Sequence, residues 1–330
     1  MPNLIGTAIL LLIGTDLNPT EIEGMLRNGL DHAYVENFDS AGFFFKTVIN
    51  GNPDNPAGYF FYGALLQFKM MDECHYDHEQ EYLLLMDQAE KTACRILDKE
   101  QNQWAEFYLG SVYTYRAVYE GYKKNYFETF RYGVKGGAIL QSMIKQDSTF
   151  YDAYLGAGTY EYFWVRAARY LPVLKLTGGN LEKAIHKITI AAQLSKYSAP
   201  TALNSLVFIY SEEKQYAAAD SVIGTLLNKY PGSRTFLWNK ADLAFKKNDF
   251  VNALEAYNDL FDRYHDYDPP NYSNLAQCKL QIGKCLLKLG EKALAINSWK
   301  EVIAYKQYGD RYPKIKDYCR EAYALLSRNL

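Results

Sequence analysis

The chain has 330 residues and a formal charge of −2, so it lacks the overall basic field that draws a protein to nucleic acid or an anionic membrane. Its five cysteines (Cys74, Cys94, Cys278, Cys285 and Cys319) are odd in number and without close pairs, which does not fit a disulfide framework. Tyrosine is the outlier: there are 30, roughly three times ordinary usage, and its apolar ring with a polar tip suits helix seams and wet grooves alike.

Leu4–Ile13 is an apolar run, too short to span a bilayer and right for the core of a signal peptide. Residues 1–15 are therefore read as a signal peptide or an apolar N-terminal segment, with mature protein starting near Asp16 and a periplasmic or envelope setting expected. The alternative is a cytoplasmic chain, because Met1-Pro2-Asn3 brings no cation and Leu12-Ile13-Gly14-Thr15 is a poor cleavage site. Residues 16–330 read as one array. Its first unit begins near Ile22, after Asn18-Pro19-Thr20, with Glu21 and Glu23 in the first helical turn where the helix dipole favours them. Further units begin near Pro56, Gln103, Tyr151, Pro200, Arg234 and Ala276, and an amphipathic helix over 313–328 covers the last seam.

The pattern is clearest from Pro200 to Tyr264. Tyr216 recurs as Phe250, Ala219 as Ala253, Ile223 as Tyr257 and Tyr230 as Tyr264, each 34 residues on. Counting each unit from its first residue, position 8 reads Gly29, Gly63, Gly110, Gly158, Val207, Ala241 and Gly283. Position 20 reads Ala41, Ala89, Gly136, Ala184, Ala219, Ala253 and Ala295. Small residues there have a mechanical reason: two helices of a hairpin cross most closely at these points, and a large side chain would part them. Glycine inside a helix costs about 1 kcal/mol against alanine, so close packing must offset it.

Units two, three and four are longer. From position 1 to position 20 an ordinary unit counts 19 residues, whereas Pro56 to Ala89, Gln103 to Gly136 and Tyr151 to Ala184 each count 33. The common excess of 14 is close to four helical turns. It predicts two extra turns in each helix, and three tall hairpins with tips near 69–80, 119–131 and 167–179.

A period of 34 with two amphipathic helices per unit resembles the tetratricopeptide repeat, or TPR. The resemblance implies an all-α, right-handed superhelical solenoid of about seven hairpins, units two to four elongated, with a C-terminal capping helix. The stretch DSTFYDAYLGAGTYEYFWVRAARYLPVLKLTGGNLEKAIHKI is similar to a bacterial branch of mostly uncharacterised, often exported TPR proteins. It is similar, more weakly, to a eukaryotic family associated with the mitochondrial outer membrane and inclusion-body clearance. What this implies is a non-enzymatic scaffold that binds a protein or peptide and no nucleic acid. The alternatives are an envelope component that binds glycans and an outer-membrane assembly factor.

In this repeat class the first helices line the groove, which here gives Phe61, Tyr108, Tyr115, Tyr162 and Phe163 in the tall units, then Trp238 and Asn239. Paired aromatics there suit an extended peptide or a sugar ring. Repeats that hold an acidic C-terminal peptide need Asn and Arg in slots filled here by Phe208 and Gln281, so that function is not carried over. The third tip, residues 166–176, mixes Arg166, Arg169 and Lys175 with apolar residues, a composition suited to a partner groove or a membrane surface. Binding is therefore expected at Phe61, Tyr108, Tyr115, Tyr162, Phe163, Arg166, Arg169, Trp238 and Asn239.

Chemistry-bearing clusters are sparse. Asp72 to Glu79 gathers Cys74, His75, His78 and carboxylates, but zinc needs four converging ligands and no second group is predicted near them. Gly133-Val134-Lys135-Gly136-Gly137 lacks the spacing of a phosphate loop, and no Ser or Cys sits in a nucleophile frame. No enzyme activity, cofactor or metal is expected.

Overall fold

A computed structural model of the chain describes residues 17–168, 179–266 and 270–329. The run Leu4–Ile13, Arg169 and most of the third tip lie outside them. Among the described residues there are fifteen α-helices, one short 3-10 helix and no strand, so the expected all-α repeat architecture is the observed one. They form two compact units.

Of the described residues, the first unit holds 17–67, 78–168 and 179–203. Its helices are α1 (Pro19–Ala33), α2 (Phe38–Gly51), most of α3 (Pro56–Glu73), α4 (Glu79–Leu97), α5 (Gln103–Tyr122), α6 (Tyr126–Gln146), α7 (Ala153–Ala168) and α8 (Leu181–Leu194). The second unit holds 68–77, 204–266 and 270–329. It contains most of α9 (Ala199–Glu212), then α10 (Tyr216–Lys229), α11 (Arg234–Lys246), α12 (Phe250–His265), α13 (Tyr272–Lys288), α14 (Lys292–Ala304) and α15 (Lys314–Asn329). Asparagine, serine or aspartate side chains close many of the helix starts on orphan backbone N–H groups: Asn18, Asn37, Asn102, Asn180, Ser233, Asp249 and Asn271. Asn18 with Glu21 makes a full capping box.

Close packing falls where the small residues predict it. A methyl group on Gly158 would meet the carbonyl oxygen of Ala184 at 2.9 Å, and one on Gly136 would meet that of Gly110 at 2.7 Å. Position 8 thus abuts position 20 backbone to backbone. In the second unit, Trp299 on α14 is fully buried and packs with Leu280, Ile315, Cys319 and Ala322, so α15 covers the last seam.

The tall hairpins differ from the expectation in an informative way. Ala41, Ala184, Ala219, Ala253 and Ala295 are each the fourth residue of their helix, whereas Ala89 and Gly136 are the eleventh. Seven residues are two turns, so α4 and α6 carry the predicted extension. In the fourth unit α8 starts only at Leu181, and the excess precedes Asn180 instead of lengthening the second helix. The expected extension of that second helix is corrected on this point, and residues 169–178 of the expected third tip lie outside the described residues.

Hairpin turns share one device. Glu36, Lys124, Lys214, Asn248 and Gly290 each adopt a positive φ two residues before the next helix. The following N–H then donates to the carbonyl five residues back, as Gln215 does to Tyr210 at 2.7 Å and Asp249 to Ala244 at 2.9 Å. Cys74, with φ of 59°, is the exception: α4 starts five residues later, leaving His75, Tyr76 and Asp77 as an added tip.

Candidate functional site

Most expected groove aromatics of the first unit are interior. Phe61, Tyr108 and Tyr162 are buried and Tyr115 is half-buried, with burial pushing the Tyr115 phenol up to about 12. Phe61 and Tyr108 are closed in by the connection between α8 and α9. The backbone N–H groups of Lys196, Tyr197 and Ser198 donate to the buried Asp152 carboxylate at 2.7, 2.9 and 3.1 Å. That places the Tyr197 ring 5.5 Å from Phe61 and 5.5 Å from Trp104. The α1 helix meets the same connection: Lys196 pairs with Glu23 at 2.6 Å, and Tyr34 shares a hydrogen bond with Thr201 at 2.9 Å. The rings fill the unit's own interior.

The outer faces of α6 and α7 are different. Tyr126, Phe127, Phe130 and Phe163 are 72%, 76%, 54% and 54% exposed. Phe130 stacks against Trp164 at 6.0 Å, which ties the two helices' aromatic rows together. Arg166, one turn beyond Tyr162, donates to its hydroxyl at 3.0 Å. Of the expected residues on this lobe, Phe163 is exposed on α7 beside Trp164 in sequence, while Tyr162 is buried, with its ring 5.4 Å from that of Phe163. Tyr126, Phe127 and Phe130 escaped the sequence reading because it searched first helices only. Their signal was available: the buried residues of α6 begin at Gly136, so aromatics in its first two turns have no core to fill.

The second unit contains a polar cradle. Arg234 on α11 donates to the Asp72 carboxylate at 2.7 Å, and both side chains are under a tenth exposed. The Tyr264 hydroxyl on α12 donates to the other carboxylate oxygen at 2.9 Å, and itself accepts from Trp238 Nε1 at 3.0 Å. Burial and the Asp72 charge push the Tyr264 phenol well above its ordinary range, so it remains a donor. Asn274 Nδ2 donates to the carbonyl of Asp72 at 2.6 Å, and Asn271 Nδ2 to that of Glu73 at 3.1 Å. His75 is buried beside Tyr312 at 5.9 Å, with Glu73 Oε2 3.1 Å from its Nε2. Expected residue Trp238 thus acts through Tyr264, and Asn239 bonds Asn204 at 2.6 Å.

Asp72, Glu73 and His75 of the expected cluster are accordingly engaged in seating the tip, Glu79 bonds Tyr119 instead, and among the described residues no group of three or more His, Cys, Asp or Glu is arranged to hold a metal ion. Among those residues no helix is long and apolar enough to cross a membrane.

Fold and repeat register together are those of a TPR-like helical repeat array. No family model matches the chain, and no curated protein matches it in sequence. Among solved structures it is similar to the APC/C hetero-tetramer Cut9–Hcn1, with a TM-score of 0.54 at 13% identity over 90% of this chain and 53% of that one, about half its length. It is also similar to a tetratricopeptide repeat protein from Parabacteroides merdae (TM-score 0.45, 15% identity, 92% of this chain and 99% of that one). A third is the human IFIT1 dimer with m7Gppp-AAAA (TM-score 0.45, 18% identity, 88% and 68%). At these identities the likeness is one of fold.

Proposed function

We propose that the chain is a non-catalytic scaffold that holds a protein partner against the aromatic face of α6 and α7. The observation that carries this reading is the exposure of Tyr126, Phe127, Phe130 and Phe163 on adjacent helices, one of which is two turns longer than stacking requires. Contiguous exposed aromatics mark interaction surfaces, because their burial on binding removes large apolar area from water. Lys124, Arg131 and Arg166 lie close to these aromatics in sequence and are available as a polar rim. An exported, envelope setting belongs to the same proposal and rests on the Leu4–Ile13 run; intact mass of natively produced protein, starting near Asp16, checks it.

The test compares partners captured from native extract by the parent, by a Phe127→Ser/Phe163→Ser variant and by a Lys246→Ala/Lys247→Ala control. The control residues are cationic positions of α11 and its cap, each ion-paired within the second unit. The expected result is that the serine variant, folded by circular dichroism, loses at least one protein that the control retains. Retention of every partner by the serine variant overturns the reading. Binding on a glycan array, or recovery of nucleic acid with the parent but not the serine variant, would reassign the face to that ligand.

A further inference from the structure

We infer that the cradle of Arg234, Tyr264, Asn271 and Asn274 is a binding site for the acidic C-terminal end of a helix, and that the tip 72–77 is its resident, exchangeable ligand. The first ground is what the cradle recognises. Arg234 and Tyr264 take both oxygens of one aspartate, and the two asparagines take the next main-chain carbonyls, of Asp72 and Glu73. A helix ends with carbonyls that lack intrahelical partners, so these contacts read an acidic helix end rather than this tip alone.

A second ground is the contrast with the other turns. Five described hairpins close their first helix with their own following N–H, whereas α3 has its last carbonyls taken by side chains 198 and 202 residues away. The extra residues His75 to Asp77 belong to the added tip, and Asp77 reaches Arg311 at 3.4 Å. Third, the contacts that reach Asp72 itself are polar: its pair with Arg234 is buried, with Cys74 and His75 buried beside it and Met71 and Tyr76 exposed. A buried ion pair adds little net stability over apolar packing but is costly to break one-sidedly. That is the behaviour of a recognition element, which discriminates a ligand bearing a carboxylate from one without. The ligand class is therefore a peptide presenting Asp at the end of a helix, and the exchange places the cradle under control of any partner carrying that end.

Tethering sets the affinity a competitor needs. A segment held in the same folded chain as its site competes intramolecularly, at an effective concentration on the order of millimolar, so a weak free peptide will not enter the parent. The experiment uses a fluorescein-labelled synthetic peptide of residues 66–80 and the full chain, under reducing conditions, read by anisotropy. The parent is expected to bind at least tenfold more weakly than an Asp72→Ala variant, whose tip has lost its carboxylate while the cradle is intact. Adding Arg234→Ala to that variant, or using a peptide with Asp72→Ala, is expected to remove the binding. The inference is overturned if the folded Asp72→Ala variant binds no peptide up to about 1 mM, the tether's own scale, or binds both peptides equally. Where Asp72→Ala does not fold, Asp72→Asn replaces it, keeping the tip's shape and both asparagine contacts. Failure of both to fold also overturns the inference, since the tip is then part of the fold. None of these outcomes bears on the α6–α7 face, whose residues are different.

Discussion

Gly158 and Gly224 are both helical glycines, and the structure sets opposite expectations for them. A methyl at Gly158 would press on the Ala184 carbonyl and on Ile188, and backbone cannot yield cheaply. A methyl at Gly224 would meet nothing within 4 Å. Gly158→Ala is therefore expected to lose about 1–3 kcal/mol by overpacking, and Gly224→Ala to gain about 0.5–1 kcal/mol from helix propensity. Thermal melts of the two variants check this, and equal shifts of the same sign would show that position 8 is not a contact point. The composition signal at this scale was legible: all seven units have Ala or Gly at position 20 and six of them at position 8, where Val207 is the exception, because helix crossing distance is a local demand. Which glycine is constrained by a neighbour and which is merely tolerated was not legible, since Gly224 occupies no repeated position.

At the scale of elements, the α8–α9 connection depends on one carboxylate. Asp152 is 5% exposed and accepts three backbone N–H groups and the Ser198 hydroxyl. Asp152→Ala strands those donors, and hydrogen bonds to a charged group contribute about 1.5–3 kcal/mol each, less than additively. An expected loss of about 2–4 kcal/mol in urea unfolding follows. A loss below about 1 kcal/mol, the size of a surface contact, would place the anchoring instead in the Tyr197 ring against Phe61 and Trp104. The hairpin lengths were legible here through arithmetic: a 14-residue excess divides into two turns per helix in α5 and α6. It divides differently in the second repeat, where three residues, His75 to Asp77, go to the tip that carries Asp72 to its cradle.

For the whole molecule, a helical repeat array is stabilised chiefly by neighbours, so damage should stay local. Trp299 is fully buried in the last cluster and donates to the Leu280 carbonyl at 3.3 Å. Trp299→Ala opens a cavity costing about 3–5 kcal/mol. Amide hydrogen exchange is expected to rise through α13, α14 and α15 while α5 and α6 keep their protection. Uniform loss of protection over both compact units would show one cooperative fold instead.

The residues alone determined the helices, their pairing into hairpins and the register of the small positions. Each of those follows from a period of 3.6 within a helix or of one unit along the chain, and both are written in local order. Burial on the first unit was decided elsewhere. Tyr162 and Phe163 are adjacent and equally aromatic, yet one is enclosed and the other is half open to water. Tyr108 is interior because Tyr197, far along the chain, is pinned by Asp152 among the rings that surround it. Asp72 is likewise a surface aspartate by its neighbours in sequence and a buried ligand by its neighbours in space, 162 residues away at Arg234. No repeat period encodes such a pairing; it depends on which side chains of distant helices the folded chain brings within hydrogen-bond reach.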